Sequence, residues 1–381
     1  MDFELSEPHR ALRVKLREFC EQTIAPQANE RDESARFPAE LLPALASQGL
    51  LGIMVPEQWG GASLDCLGYA ICVEELARVD GGLALTVASH NGLGTAHLLF
   101  AGTAEQKQKF LPRVAAGECL IAWAMTEPSA GSDTSRIQTT ARRVGNDWVI
   151  DGKKAFISQG SVAGFCIVLA QTELLGRPGR GMTAFIVERD TPGFEVARVF
   201  QKYGCRASDT AELSFHQCRV PDSARLGGEG AAFYDTLRLL DRGRLGISAM
   251  ALGLGRAALD AALAYARERE AFGRKLAHHQ AIQWMLADGK TTLDAAELLI
   301  HRAAWLADCG RAFASEASMA KLFASECATK VCNDAMQIHG GHGYTRDYPI
   351  ERFLRDVKVC EIGEGTSEIQ RMLIARHLIG K

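Results

Sequence analysis

A change of hydrophobic period near residue 119 limits what this chain can fold into. Upstream of it, apolar residues recur at helical spacing: Leu5, Leu12, Leu16 and Phe19, then Leu41, Leu42 and Leu45 after Pro38, with Gly49 as a stop. Helical pattern resumes over 67–78, 83–100 and 103–114, the last opened by Thr103 with Glu105 and Gln106 as capping chemistry, while 51–64 reads as a loop. Between 119 and 221 the runs become short and strand-like: 119–125, a hairpin over 140–150 turning at Gly145-Asn146, then 153–158, 165–172, 182–188, 194–200 and 211–221. Strands this short, punctuated by Gly, Asp and Pro, predict an antiparallel barrel or sandwich and not a doubly wound sheet. From about Ala231 the pattern is helical again, rich in Ala and Leu, with long runs at 233–271, 279–309 and 313–338. Few loops separate those runs, which predicts an antiparallel four-helix bundle. The expected class is α+β, mostly α, in three domains: 1–119 helical, 120–228 β, and 229–381 helical.

Bulk properties exclude several functions. A net charge of −3 without a long basic run argues against a nucleic-acid footprint. Apolar stretches are broken by charge or glycine before the roughly 20 residues that a membrane span needs. The start, MDFELSEPHR, is acidic and matches neither a signal nor a transit peptide. The 11 cysteines are scattered, odd in number and never spaced CxxC, so they read as small buried apolar residues in a reducing cytoplasm.

Some motif matches are weak. Gly253-Leu-Gly255-Arg-Ala-Ala258 fits GxGxxA but has no strand before it, so close helix packing is the better reading. Ser318-Met-Ala-Lys321 fits SxxK but falls mid-helix without partner motifs. His339 and His342 flank two glycines and lack further ligands at metal spacing, so no metal is expected.

Other stretches carry more. Residues 123–133, WAMTEPSAGSD, run from a strand into a turn whose hydroxyls and N–H groups suit a heteroaromatic edge and a pyrophosphate. Phe156-Ile157-Ser158 ends a strand with an aromatic and a hydroxyl; REAFG (269–273) sets a cation beside an aromatic; QIHGGHGY (337–344) ends a helix with Gln337 and a glycine pair. In IGEGTSEIQR (362–371), Glu364 lies between Gly363 and Gly365, ahead of a helix start at Thr366–Ser367. Taken alone that stretch is a capped loop with a solvated glutamate; closed over an apolar pocket, its pKa would rise and it could act as a base.

In this order and spacing, together with LDRGR (240–244) and HHQ (278–280), these stretches resemble the acyl-CoA dehydrogenase family over nearly the whole chain, its short- and medium-chain, butyryl-CoA dehydrogenase-like members most. FIS stands in place of the commoner WIT or WIS. The resemblance implies non-covalent FAD without a Rossmann domain. It implies flavin and diphosphate contacts at Trp123, Met125, Thr126, Gly131, Ser132, Phe156 and Ser158, with further contacts at Thr366 and Glu368. Arg269, Phe272 and Gln280, with Gln337, Gly340 and Gly341, would hold the diphosphate and adenosine. Sharing of FAD contacts between subunits implies a homotetramer, a dimer of dimers. Asp241 and Arg244 match positions that grip CoA, although their i,i+3 spacing also reads as a plain surface ion pair. Ser132 and Gly365 would neighbour the substrate. Glu364 matches the catalytic base; relatives that carry it just before Arg244 have no counterpart here, because that residue is Gly243. Gly363 departs from a common Tyr and would reshape the acyl pocket.

The implied reaction is α,β-dehydrogenation of an acyl-CoA to trans-2-enoyl-CoA, with electrons passing to an electron-transfer flavoprotein. Alternatives on the same fold are an oxygen-using acyl-CoA oxidase, a nitroalkane-oxidase-like enzyme or flavin monooxygenase, and a non-catalytic DNA-associated relative.

Overall fold

The computed structural model describes residues 3–172 and 181–380. The N-terminal helices are α1 (Glu7–Phe19), α2 (Ala28–Ser34), α3 (Leu42–Ser47), α4 (Cys66–Ala77), α5 (Gly81–Ser89), α6 (Ala96–Ala101) and α7 (Ala104–Ala115), with a π-helical turn, His90–Thr95, joining α5 to α6. Helix α7 opens with the capping box expected at Thr103: its hydroxyl accepts from the Gln106 N–H, and the Gln106 side chain accepts from the Thr103 N–H.

The middle of the chain supplies β1 (Ile121–Ala124), β2 (Thr140–Val144), β3 (Asp147–Ser158), β4 (Phe165–Gln171), β5 (Met182–Glu188), β6 (Phe194–Val199), β7 (Thr210–Pro221) and β8 (Arg225–Leu226). They form one sheet in the order β6-β7-β3-β2-β4-β5-β8, with β1 paired to β4. Most pairings are antiparallel, but β1–β4 and the short β2–β4 contact are parallel. The hairpin arm ending at 150 and the run 153–158 are one strand, β3. Its register against β7 slips between Lys154 and Ile157, a bulge that turns Phe156 outward at φ 57°.

The last third holds α8 (Ala232–Glu268), a two-strand hairpin β9 (Glu270–Ala271) and β10 (Arg274–Lys275), then α9 (Gln280–Asp308), α10 (Ala314–His339), α11 (Ile350–Val357), α12 (Val359–Ile362) and α13 (Ser367–Ile379). Helices α8, α9 and α10 pack on one another, and α13 packs on α10. Helix α4 lies against both α8 and α9, which joins the two helical parts around one core. The GxGxxA match belongs to this packing: a Cβ at Gly253 would sit 2.3 Å from the Glu74 carbonyl oxygen of α4. Arg13 bridges Glu74 and Glu297 at 3.2 and 3.1 Å, and Arg256 pairs with the same two carboxylates, so α1, α4, α8 and α9 share one ion network.

Helix α8 is long and apolar enough by length and composition to cross a membrane, and 61% of its apolar window is buried inside the protein. All 11 cysteines are free, and most are buried. No group of His, Cys, Asp and Glu among the described residues could hold a metal ion.

Candidate active site

Glu364 sits on the loop between α12 and α13, with φ 57°, and Gly365 follows at φ 90°. Two successive left-handed residues turn the chain sharply and aim the carboxylate inward toward α8. A Cβ added at Gly243 would meet Glu364 Oε2 at 2.1 Å, so the carboxylate occupies the gap that this glycine leaves in α8. Oε2 is sealed from water and has no hydrogen-bond partner. Burial pushes the Glu364 carboxyl up to about 7, against the opposing pull of Arg244 and Lys321. The solvated glutamate that the isolated stretch suggested is therefore not what forms. The Glu364 N–H makes no backbone hydrogen bond among the described residues and stays available as a donor.

The loop is held from below. Gln370 Nε2, one turn into α13, donates to the carbonyls of Glu364 (3.2 Å) and Gly365 (2.8 Å), and Lys321 Nζ of α10 donates to the Gly365 carbonyl at 2.8 Å. Thr366 caps α13 by accepting from the Ile369 N–H, and Glu368 stands exposed in its first turn, where hydrogen bonds from its own N–H and from the Thr366 hydroxyl hold its carboxyl below the usual range.

Arg244, one residue past Gly243, donates to Asp241 Oδ1 at 2.6 Å. The expected i,i+3 pair thus forms, but with its side chains only 8% and 15% exposed it is not a surface pair. Burial lowers the Arg244 pKa and raises that of Asp241, each partly offset by the other. Arg244 Nε is buried without a partner.

The turn after β1 forms a second element. Glu127 and Ala130 exchange N–H···O bonds of 3.1 Å and close the turn. The Glu127 carboxylate accepts from the N–H groups of Gln138 (2.6 Å) and Thr139 (2.9 Å) and from Lys154 Nζ (2.7 Å), which also donates to the Met125 carbonyl at 3.1 Å. Burial opposes ionisation of this pair, pulling Lys154 down to about 8; the Lys154 ammonium nevertheless holds the Glu127 carboxyl below its usual range. The Met125 side chain is buried in the core, so its contribution to a ligand is limited to backbone. Trp123 Nε1 donates to His97 Nδ1 at 3.1 Å. The hydroxyls of Thr126, Ser132 and Ser158 make no hydrogen bond among the described residues, and Gly131 and Ser132 are exposed.

Phe156 stacks on Phe200 with ring centroids 4.7 Å apart and is still 63% exposed, an aromatic face available beside Thr126, whose carbonyl accepts from the Ala155 N–H. The π-helical turn links this element to the α8 recess that holds Glu364. Its His90 accepts from the Ile121 N–H of β1, while Gly92 lies against Gly243 of α8.

The third group stands apart at one end of the bundle. Arg269 and Phe272 are on the β9–β10 hairpin, Gln280 opens α9, and Gln337, Gly340 and Gly341 end α10. Stacking of Tyr265 on His339 at 4.4 Å brings those two ends together. Arg269, Gln280 and Gln337 are exposed and their side chains make no hydrogen bond or ion pair among the described residues; Phe272 is 97% exposed with φ 51°. No hydrogen bond or ring contact joins this group to β1, β3 or the Glu364 loop among the described residues. One chain therefore presents two incomplete sets of contacts, both of which fit a dinucleotide: hydroxyls and an aromatic face in one, a cation, an aromatic and amides in the other.

Sequence reasoning missed Tyr69, Lys154, Gln370 and Lys321. Only Lys321 had drawn notice, and then as a discarded motif. The signal available was a lysine in an otherwise apolar helical or strand run, a position that needs a buried partner.

Three family models match the chain: acyl-CoA dehydrogenase N-terminal domain over residues 6–118, middle domain over 122–218 and C-terminal domain over 230–379. The chain is 44% identical over 380 residues to the probable acyl-CoA dehydrogenase YngJ of Bacillus subtilis, covering 100% of both proteins. Among solved structures, it matches a chain from work on the electron transferring flavoprotein of Acidaminococcus fermentans and flavin-based electron bifurcation, with a TM-score of 0.98, 41% identity and 100% of both chains covered. It also matches butyryl-CoA dehydrogenase from Megasphaera elsdenii, with a TM-score of 0.97, 38% identity and 100% of both chains covered.

Proposed function

The chain belongs to the acyl-CoA dehydrogenase family, oxidoreductases that use FAD, and from that premise we propose that it desaturates the α,β bond of a short- or medium-chain acyl-CoA, giving the trans-2-enoyl-CoA, with Glu364 as the base. The observation that carries this reading is the Glu364 carboxyl, sealed against Gly243 and raised to about 7. A proton α to a thioester is weakly acidic, and a base removes it best when desolvated and poised near the working pH. The free Glu364 N–H is a donor for the thioester oxygen, where negative charge develops. Buried Arg244, with its unpartnered Nε, and Asp241 flank that position and suit the CoA side of the substrate.

FAD, when bound, supplies the acceptor for the hydride that leaves the β-carbon. Trp123, Thr126, Ser132, Phe156 and Ser158, with Thr366 and Glu368, would hold its ring end. The exposed Arg269, Phe272, Gln280, Gln337, Gly340 and Gly341 would hold the diphosphate and adenosine of a second copy's cofactor, in a homotetramer built as a dimer of dimers. Electrons would pass to an electron-transfer flavoprotein in the cytoplasm, a reading that the match to the Acidaminococcus fermentans chain supports.

Tyr69 favours a short acyl chain. Its hydroxyl donates to the Ala88 carbonyl at 2.9 Å, and a Cβ at Gly246, one α8 turn beyond Gly243, would meet that hydroxyl at 2.1 Å. Hydrocarbon running past Glu364 along α8 meets this wedge. The test is anaerobic mixing of the FAD-loaded protein with butanoyl-, octanoyl-, palmitoyl- and isobutanoyl-CoA. Flavin bleaching fastest with butanoyl-CoA, with slow recolouring in air, is the expected result. A flavin that no acyl-CoA bleaches would overturn the reading, and rapid recolouring in air would make the enzyme an oxidase.

A further inference from the structure

We propose that Lys321 is a positioning residue for the base: its buried ammonium clamps the Glu364–Gly365 turn through the Gly365 carbonyl and favours the ionised form of the Glu364 carboxyl. The inference rests on Glu364 as the base.

Lys321 is fully buried on α10, in the Ser318-Met-Ala-Lys321 match. Among the described residues its Nζ makes one hydrogen bond, 2.8 Å to the Gly365 carbonyl. That carbonyl also accepts from Gln370 Nε2, so two donors from two helices fix the Gly365–Thr366 peptide plane. The residues on either side of the Glu364–Gly365 peptide are both left-handed, a conformation that a non-glycine residue such as Glu364 holds only when its surroundings impose it. Gln370 also holds the Glu364 carbonyl, and Lys321 fixes the peptide that follows Gly365.

The same ammonium acts on the carboxylate through space. The titratable and charged groups facing Lys321 are Glu364 itself, Cys360 and Glu361 of α12, Arg244 of α8 and Glu368 of α13. Tyr69 of α4 also faces Glu364. Of these only Arg244 and Lys321 are cations, and both oppose the burial that raises Glu364. Burial brings Lys321 down to about 8, still above the value of about 7 for Glu364, so the ammonium is the predominant form at the midpoint of the Glu364 titration. With Lys321 neutralised, burial remains and Arg244 alone opposes it. The carboxyl then binds its proton more tightly and is a working base only at higher pH.

The test compares the FAD-loaded protein with its Lys321→Met, Lys321→Gln and Lys321→Arg variants. The first readout is an infrared titration of the Glu364 carboxyl, assigned by its loss in Glu364→Gln. The second is the pH profile of flavin reduction by butanoyl-CoA. In both neutral variants the carboxyl midpoint and the acidic limb of the profile move up together by about one pH unit. Reduction below the limb slows about tenfold, FAD content is unchanged, and the rate recovers at higher pH. Lys321→Arg keeps the wild-type midpoint. An unmoved carboxyl midpoint in the neutral variants overturns the proposal. So does failure of both neutral variants to fold, which would make Lys321 a lysine of the fold alone. If wild-type flavin is reduced by no acyl-CoA while the infrared midpoint still moves, the dehydrogenase reading fails and the clamp stands.

Discussion

The Glu364→Gln substitution turns the burial of the Glu364 carboxyl into a measurable stability difference. Glutamine keeps the shape that fits against Gly243 and removes only the titration. The Glu364 carboxyl rises from 4.5 to about 7 on folding, and at about 1.4 kcal/mol per unit this amounts to about 3 kcal/mol. The sign follows from proton binding. Between pH 4.5 and 7 the folded protein keeps a proton that the unfolded chain has released, so the contribution is fully present below 4.5 and is lost as pH rises through 7. Glutamine has no such loss. The variant should therefore gain on the wild type by up to about 3 kcal/mol between pH 4.5 and pH 7.5, read from denaturant or calorimetric unfolding of the FAD-loaded proteins. The comparison across pH cancels the constant effect of leaving Arg244 and Lys321 facing a neutral group. A stability difference that does not change with pH would mean that Glu364 is solvated in solution. In the same preparation, loss of the base should slow flavin reduction by about 100- to 10,000-fold with FAD retained. Bleaching at near the wild-type rate would remove Glu364 from the mechanism.

Tyr69→Ala should raise the octanoyl-to-butanoyl ratio of flavin reduction rates at a stability cost of about 3–5 kcal/mol, while Tyr69→Phe, which removes only the hydroxyl and keeps the ring, should raise it less; an unaltered ratio in Tyr69→Ala would mean that the acyl chain does not run along α8 toward Gly246. Lys154→Met strands the buried Glu127 carboxylate and should cost about 3–5 kcal/mol, with loss of FAD because the 125–139 turn is released. Recovery of part of that cost on adding Glu127→Gln would identify the charge as the cause, and a wild-type melting curve with full FAD content would contradict the pair's role. Arg269→Ala should weaken FAD retention on dialysis, and equal cofactor content would count against a diphosphate site on the hairpin.

Much of this molecule was legible as periodicity. The strand block ended up as β1 to β8 and the long Ala/Leu runs as α8, α9 and α10, because alternation and helical spacing are local properties of the chain. Capping at Thr103 and the helix start at Thr366 were legible for the same reason, since a side chain and the N–H groups it serves lie within one turn. What periodicity could not give was the bulge that turns Phe156 outward. That depends on β3 pairing with β7, more than 50 residues away.

The Glu364 stretch marks the division most clearly. Its own residues determined a tight glycine-bounded turn before a helix, and could determine no more, because a carboxylate takes its pKa from what surrounds it. Packing decided that α8 would offer Gly243 as a recess, that α10 would place an ammonium beneath the turn, and that Tyr69 of α4 would close the space beyond. Those groups are far apart along the chain, and burial and charge act through distance in space; only the folded arrangement could raise the pKa of this glutamate.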